Sequence, residues 1–296
     1  MVKRKQYVLK TALSVNIFYV PMLILFFIFV IYPLIRGVYL SFTNWNGYSQ
    51  NFKIVGLDNY KRIFTDPKIR IAFKNTIIYG FGSTFLQNIL GLSFALFLNH
   101  KFAGRSLCRT IIYMPVMIAS LIMGYIMYFF VMFDGGALND IRMLFGAKAV
   151  DWLAKGDRAV GIITLINSFQ FAGISMVIYL AGLQNIPAMY YEAAEMDGVN
   201  QWGRFRYITF PLLLPAISSA VIINLIGGLK LFDVIMALTS GGPGFSSHSL
   251  STLVNRTYFG SENAGYASAI GLFAFVFIMI ISNVFMRYFD KKEVTM

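Results

Sequence analysis

The chain has 296 residues, 57% of them hydrophobic and 13% charged, with one cysteine and a net charge of +12, and its mean hydropathy is +0.65. A soluble domain carries about 25% charged residues, so a water-soluble globule would lack the polar surface to cover itself. The apolar content excludes intrinsic disorder, the single Cys108 excludes a disulfide scaffold, and what remains is an all-α integral membrane protein whose basic residues flank apolar runs.

A spanning helix needs about 20 mostly apolar residues to cross roughly 30 Å of hydrocarbon. About six segments qualify, in chain order 14–40, 71–98, 110–133, 159–183, 212–238 and 267–288. The runs are long and do not alternate with period two, which argues against strands. Basic residues divide evenly between the two sides when the N-terminus is placed inside. The flanks of the end helices break the tie. Lys3, Arg4, Lys5 and Lys10 precede the first span, and Arg287, Lys291 and Lys292 follow the last. Both termini are therefore expected in the cytoplasm, with 1–13 as an N-terminal segment, 14–288 as a single transmembrane domain and 289–296 as a tail. A basic cluster before an apolar run also resembles a signal peptide, but this run is too long for one and shows no small-residue cleavage site. The outer loops, roughly 41–70, 134–158 and 239–266, are long enough to fold locally and carry Trp45 and Trp152 as interfacial anchors.

The inner loop 184–210 is the most informative stretch. Asn185 or Ile186 can cap a helix that has Pro187 in its first turn. Ala193 and Ala194 are strong helix formers. Gly198 can take a left-handed conformation and end that helix, and Asn200 can cap a second one through about Ile208. Pro211 and Pro215 then open the fifth span. The expectation is helix, glycine turn, helix at the cytoplasmic face.

Polar groups within a membrane are costly and mark pathways. In the fourth span Asn167, Gln170, Phe171 and Ile174 recur at helical spacing, and in the fifth Asn224, Gly227, Gly228 and Leu231 do the same. Lys230 and Asp233 follow, three apart, a spacing that lets them pair on one helical face. The same residue types also hold helices together. His100 and His248 stand in different loops, so no metal site is indicated. Cys108 reads as a small buried residue. There is no glycine-rich phosphate loop and no His-Glu-x-x-His pair, nor a serine motif with a paired base.

Glu192-Ala193-Ala194, Asp197-Gly198 and Ile208-Thr209-Phe210-Pro211 resemble the cytoplasmic loop signature of ATP-binding-cassette importer permeases, with Phe210 where that family usually has leucine. Thr239-Ser240-Gly241-Gly242-Pro243, Tyr258-Phe259, Gly265-Tyr266-Ala267 and Ala269 narrow the likeness. So do Gly56-Leu57-Asp58-Asn59-Tyr60, Asn75-Thr76 and Gly135-Gly136-x-x-Asn139. Together they resemble the binding-protein-dependent carbohydrate-uptake permeases, specifically the maltose-type first subunit of a heterodimeric pair, as in multiple-sugar and raffinose-like importers. The likeness covers nearly the whole chain, without the extra N-terminal helices and large outer domain of the enterobacterial maltose subunit.

That resemblance implies the type I ABC importer permease fold in a bacterial cytoplasmic membrane. It implies a non-catalytic subunit forming half of a sugar pathway, with oligosaccharides as the expected cargo. A second homologous permease, an ATPase dimer and an extracytoplasmic sugar-binding protein would complete the machine. ATP and Mg would sit on the ATPase, with no cofactor or metal in this chain. Glu192, Ala193, Ala194, Asp197 and Gly198 would dock the ATPase. Asn167, Gln170, Phe171, Ile174, Asn224, Gly228, Leu231 and Asp233 would line the pathway, amides and carboxylate toward sugar hydroxyls and Phe171 toward a pyranose face. The alternative is the same architecture importing another solute such as glycerol phosphate, which Lys230 keeps open. A secondary transporter would leave the Glu-Ala-Ala loop unexplained.

Overall fold

A computed structural model describes residues 19–292. The expected N-terminal segment 1–13, the start of the first span at 14–18 and tail residues 293–296 lie outside the described residues. Along the chain come α1 (Tyr19–Ser41), α2 (Asp58–Thr65), α3 (Pro67–Asn99), α4 (Arg105–Met117), α5 (Ser120–Val131), α6 (Ala137–Leu144), α7 (Gly156–Gln184), α8 (Ala188–Met196), α9 (Gln201–Leu212), α10 (Leu214–Leu229), α11 (Asp233–Leu238), α12 (Leu250–Asn255) and α13 (Ala264–Asp290). Among the described residues the only β-type pairing is one isolated antiparallel bridge, Thr43 to Ile54.

Helices α1, α3, α7 and α13 are each long and apolar enough to cross a membrane, and the bent pairs α4–α5 and α9–α10 bring the count to as many as six. Each expected segment overlaps one of these. Two differ from the sequence reading in a way that matters. The third is not one straight helix, because α4 and α5 meet at 100°. Pro115 withholds an N–H and crowds the preceding turn, and Ile118 and Ala119 are extended. The fifth stops at Leu229. Lys230, Leu231 and Phe232 leave the helix before α11 begins, where two consecutive glycines weaken the last turn of α10.

The residues group into two compact units. The first comprises residues up to 63 with 256–272. In its most apolar stretch α1 buries no residue, as suits a helix facing lipid. Buried Asn59 donates from its amide to the Ser41 and Thr43 carbonyls, 2.8 Å each. The Arg62 guanidinium lies 4.1 Å over the Tyr266 ring.

The second unit comprises 64–255 and 273 onward. Its centre is α3 packed on α7. A Cβ at Gly91 would collide with the Ser175 side chain and the Met176 backbone, so only glycine allows this approach. One apolar cluster gathers Tyr79, Ile163, Val234, Ile235 and Leu238. Another gathers Leu98, Met176, Tyr179, Leu183 and Leu213. The loop between α11 and α12 is tied down by polar groups of α3. Asn75 donates to the Ser246 carbonyl at 2.7 Å and the His248 carbonyl at 3.0 Å. Tyr79 donates to the Ser247 carbonyl at 2.8 Å, and the Leu250 amide donates to Thr76 Oγ1 at 2.9 Å.

Candidate functional site

Two regions of the second unit carry the residues singled out from the sequence. The first is the loop after α7. Pro187, extended, leads into α8, and Gly198 ends it at φ +70°. The closing turn is held by Gly198 N–H to the Glu195 carbonyl, 3.1 Å, and Val199 N–H to the Ala194 carbonyl, 2.9 Å. Asn200 then caps α9 through its side-chain oxygen, which accepts from the Gly203 amide at 2.8 Å. The two helices are braced by Glu195 and Arg204, 3.5 Å apart, and by Tyr191 OH and Thr209 Oγ1, 3.1 Å apart. The expected helix, glycine turn and helix are present, but Pro187 itself, not Asn185 or Ile186, is the N-cap of α8, with no side-chain capping bond, and α9 runs on to Leu212. Ala194 faces inward and is buried, while Glu192, Ala193, Asp197 and Gly198 are exposed. Met189 and Met196 are exposed beside them. The loop is thus a small rigid knob with a carboxylate and apolar side chains on its free face.

The second region is a cavity of about 220 Å³ among α3, α5, α7, α10 and the break before α11. Asn167, Phe171 and Ile174 contribute from α7, Asn224 and Gly228 from α10, and Leu231 and Asp233 from the break and the start of α11. Seven of the eight expected pathway residues therefore meet at one place. Gln170 does not line it. Fully buried, it donates from Nε2 to the Ile118 carbonyl at 3.0 Å, satisfying backbone freed where α4 gives way to α5. Asn224 serves both purposes, since its amide nitrogen donates to Ser175 Oγ at 2.6 Å across the α7–α10 contact. Four lining residues were not anticipated: Gln87 of α3, Ser120 of α5, and Ile223 and Phe232 beside the break.

The break gives the cavity its chemistry. Irregular backbone at membrane depth is tolerated where protein buries it or where it lines a cavity. Here the Leu231 carbonyl is received by Ser249 Oγ at 2.7 Å. Lys230 and Asp233 do not share a helix as their spacing suggested, and among the described residues no ion pair joins them. Both are exposed and both line the cavity. Gln87 donates to the Asn167 carbonyl at 3.1 Å, yet Gln87 Oε1 and Asn167 Nδ2 are buried without a hydrogen-bond partner. Each such atom costs about 1–3 kcal/mol if left unpaired. An acceptor and a donor with unused capacity, an ammonium, a carboxylate and the Phe171 ring make a site suited to a polar solute with apolar faces.

Comparison with known proteins identifies the family. The family model described as the binding-protein-dependent transport system inner membrane component matches residues 87–294. The chain is 35% identical over 279 residues to the multiple sugar-binding transport system permease protein MsmF of Streptococcus mutans, covering 94% of this chain and 95% of that one. It is 31% identical over 280 residues to the probable starch degradation products transport system permease protein AmyD of Thermoanaerobacterium thermosulfurigenes, covering 95% of each. Its fold matches a chain in the crystal structure of a bacterial ABC transporter involved in the import of alginate, with a TM-score of 0.84, 24% identity and coverage of 97% and 99%. The chain belongs to the inner membrane components of binding-protein-dependent transport systems, the membrane-spanning permeases of ABC importers.

Proposed function

We propose that this permease imports sugars, with oligosaccharides as cargo, and forms half of the pathway beside a second homologous permease. The observation that carries the reading is the cavity at the α10–α11 break, where amides, a carboxylate and an aromatic ring converge. The relatives whose names specify multiple sugars and starch degradation products supply the solute class. In this reading Gln87, Asn167, Asn224 and Asp233 exchange hydrogen bonds with hydroxyl groups, and Phe171 packs on a ring face. Gly228 keeps the wall thin.

The knob at 184–210 lies on the cytoplasmic side and docks on a separate ATPase dimer that carries ATP and Mg. Glu192 offers a charge-assisted contact, Ala193 permits close approach, and Asp197 and Gly198 set the turn. The chain performs no chemistry itself. ATP binding favours one arrangement of the ATPase, and docking passes that preference to the spanning helices as differential binding to two states. Both termini, 1–13 and 289–296, lie in the cytoplasm, the intervening 14–288 spans a bacterial cytoplasmic membrane, and an extracytoplasmic sugar-binding protein delivers the solute.

The test is purification of the tagged chain from its native membrane, wild type beside Glu192→Arg. Wild type is expected to bring down a homologous permease and an ATPase, and the variant to keep the permease while losing the ATPase. Wild type that elutes alone, with uptake continuing in the absence of ATP, overturns the reading. A second reading, import of an anionic solute such as glycerol phosphate, draws on Lys230, a cation lining the cavity. Lys230→Gln would then depress uptake of the anion and spare that of neutral sugars.

A further inference from the structure

Helix α6 has its polarity reversed for a helix beside water. Its inward face is Asn139, completely buried. The Asn139 amide nitrogen donates to the Phe133 and Val150 carbonyls, 3.0 Å each, with the Met132 carbonyl at 3.4 Å. Its oxygen accepts from the Val150 amide at 3.0 Å and from Trp152 Nε1 at 3.1 Å. At about 100° per residue, Ile141 and Leu144 lie about 160° and 140° around the axis from Asn139. They are exposed, as are Leu138 and Phe145, and exposure reaches 84% at Leu144 and 86% at Phe145. A helix resting on its own protein normally turns its apolar stripe inward. Here the one fully buried side chain is polar, Asp140 is exposed on the flank, and the apolar Leu138, Ile141 and Leu144 are left for something else.

We infer that α6 lies on the membrane surface with Ile141, Leu144 and Phe145 inserted among the lipids. Two observations select lipid. The bonds from Asn139 to the carbonyls of Met132 and Phe133 pin α6 immediately beyond Val131, where the bent apolar pair α4–α5 ends. The helix therefore sits at the edge of the bilayer. Next, Phe129 and Phe130 at the end of α5, and Phe133 after it, are themselves exposed apolar side chains a few residues from α6. The segment 134–158 balances Arg142, Lys148, Lys155 and Arg158 against Asp134, Asp140, Asp151 and Asp157. Attachment is accordingly by apolar insertion rather than by attraction to anionic headgroups, and is insensitive to salt.

The experiment uses the complex as it purifies from the membrane, reconstituted into phosphatidylcholine vesicles. In a Cys108→Ser background a nitroxide is placed at Leu144→Cys, at Ile141→Cys, and at Lys148→Cys as reference. Collision with oxygen is compared with collision with a water-soluble nickel chelate, and the helical circular dichroism of each labelled protein must match that of the unlabelled one. The oxygen-to-nickel ratio at both apolar positions is expected to exceed that at 148 several-fold, and to be unchanged by phosphatidylglycerol or by added salt. A nickel-accessible label at 144 and 141 overturns the inference. So does shielding from both reagents, whether by the second permease in the vesicle or only after a sugar-binding protein is added.

Discussion

Gly227 and Gly228 are neighbours in the last turn of α10 and make a sharp test of how this wall is built. A Cβ at Gly228 would stand 2.7 Å from the Tyr79 carbonyl oxygen, 2.7 Å from Ser83 Oγ and 2.9 Å from Gly80 Cα. Two of those three atoms are backbone and cannot swing away. Against an ordinary contact beginning at 3.4 Å, α10 and α3 would have to part by about 0.7 Å. Such overpacking costs about 1–3 kcal/mol. At Gly227 nothing lies within 4 Å. Replacing glycine by alanine there keeps the helix-propensity gain of about 1 kcal/mol. The same gain applies at both positions, so Gly228→Ala should be less stable than Gly227→Ala by about 1–3 kcal/mol, or about 5- to 150-fold in the unfolding equilibrium. Titration with sodium dodecyl sulfate in mixed micelles, followed by circular dichroism, reads the two midpoints. Equal midpoints, or an earlier midpoint for Gly227→Ala, would refute the packing argument.

Other expectations follow from the same geometry. Gln87→Met removes both the bond to the Asn167 carbonyl and the unpaired Oε1, so stability should stay within about 1 kcal/mol while uptake into vesicles falls at least about tenfold, the effect of about 1.4 kcal/mol in solute binding; unchanged uptake would remove Gln87 from the pathway. Gly198→Ala meets no neighbouring atom but must hold φ +70°, at a cost of about 1–2 kcal/mol; amide exchange across 188–212 should quicken and ATPase co-purification should drop, whereas unaltered exchange would mean that the turn tolerates a side chain. Asn139→Asp keeps the acceptor for Val150 and Trp152 but sets a carboxylate against three carbonyls; limited proteolysis should cut 134–155 at least about fivefold faster, as a loss of about 1 kcal/mol in local stability implies.

The spans were legible because about 20 apolar residues in a row admit few other readings. The breaks were not. Leu231 and Phe232 continue the hydropathy of α10, and what lets the chain leave the helix there is Ser249, 18 residues on, reaching back to the Leu231 carbonyl. The register of α7 was read almost correctly. Asn167, Phe171 and Ile174 share the cavity, but Gln170 stands about 60° to one side of Asn167 at 100° per residue and meets the α4–α5 bend instead. Gln87 carried a usable signal, an amide within an apolar run, which marks a pathway by the same rule that selected Asn167. Ser120 carried none, since its place depends on a 100° bend in the chain. In the glycine-turn loop the signals of Asn200 as cap and Gly198 as terminator were local and held, whereas the cap expected at Asn185 or Ile186 gave way to Pro187, which starts α8 without a side-chain bond.

Asn59, Asn75 and Asn139 each hold two or more main-chain carbonyls of a neighbouring segment through one buried amide. An amide neither titrates nor exchanges its partner for a dissolved ion. Loops braced in this way keep one shape in acid and in brine, where loops braced by exposed ion pairs would loosen. For segments proposed to face a medium that the cell does not control, a docking protein would then meet the same surface whatever the weather outside.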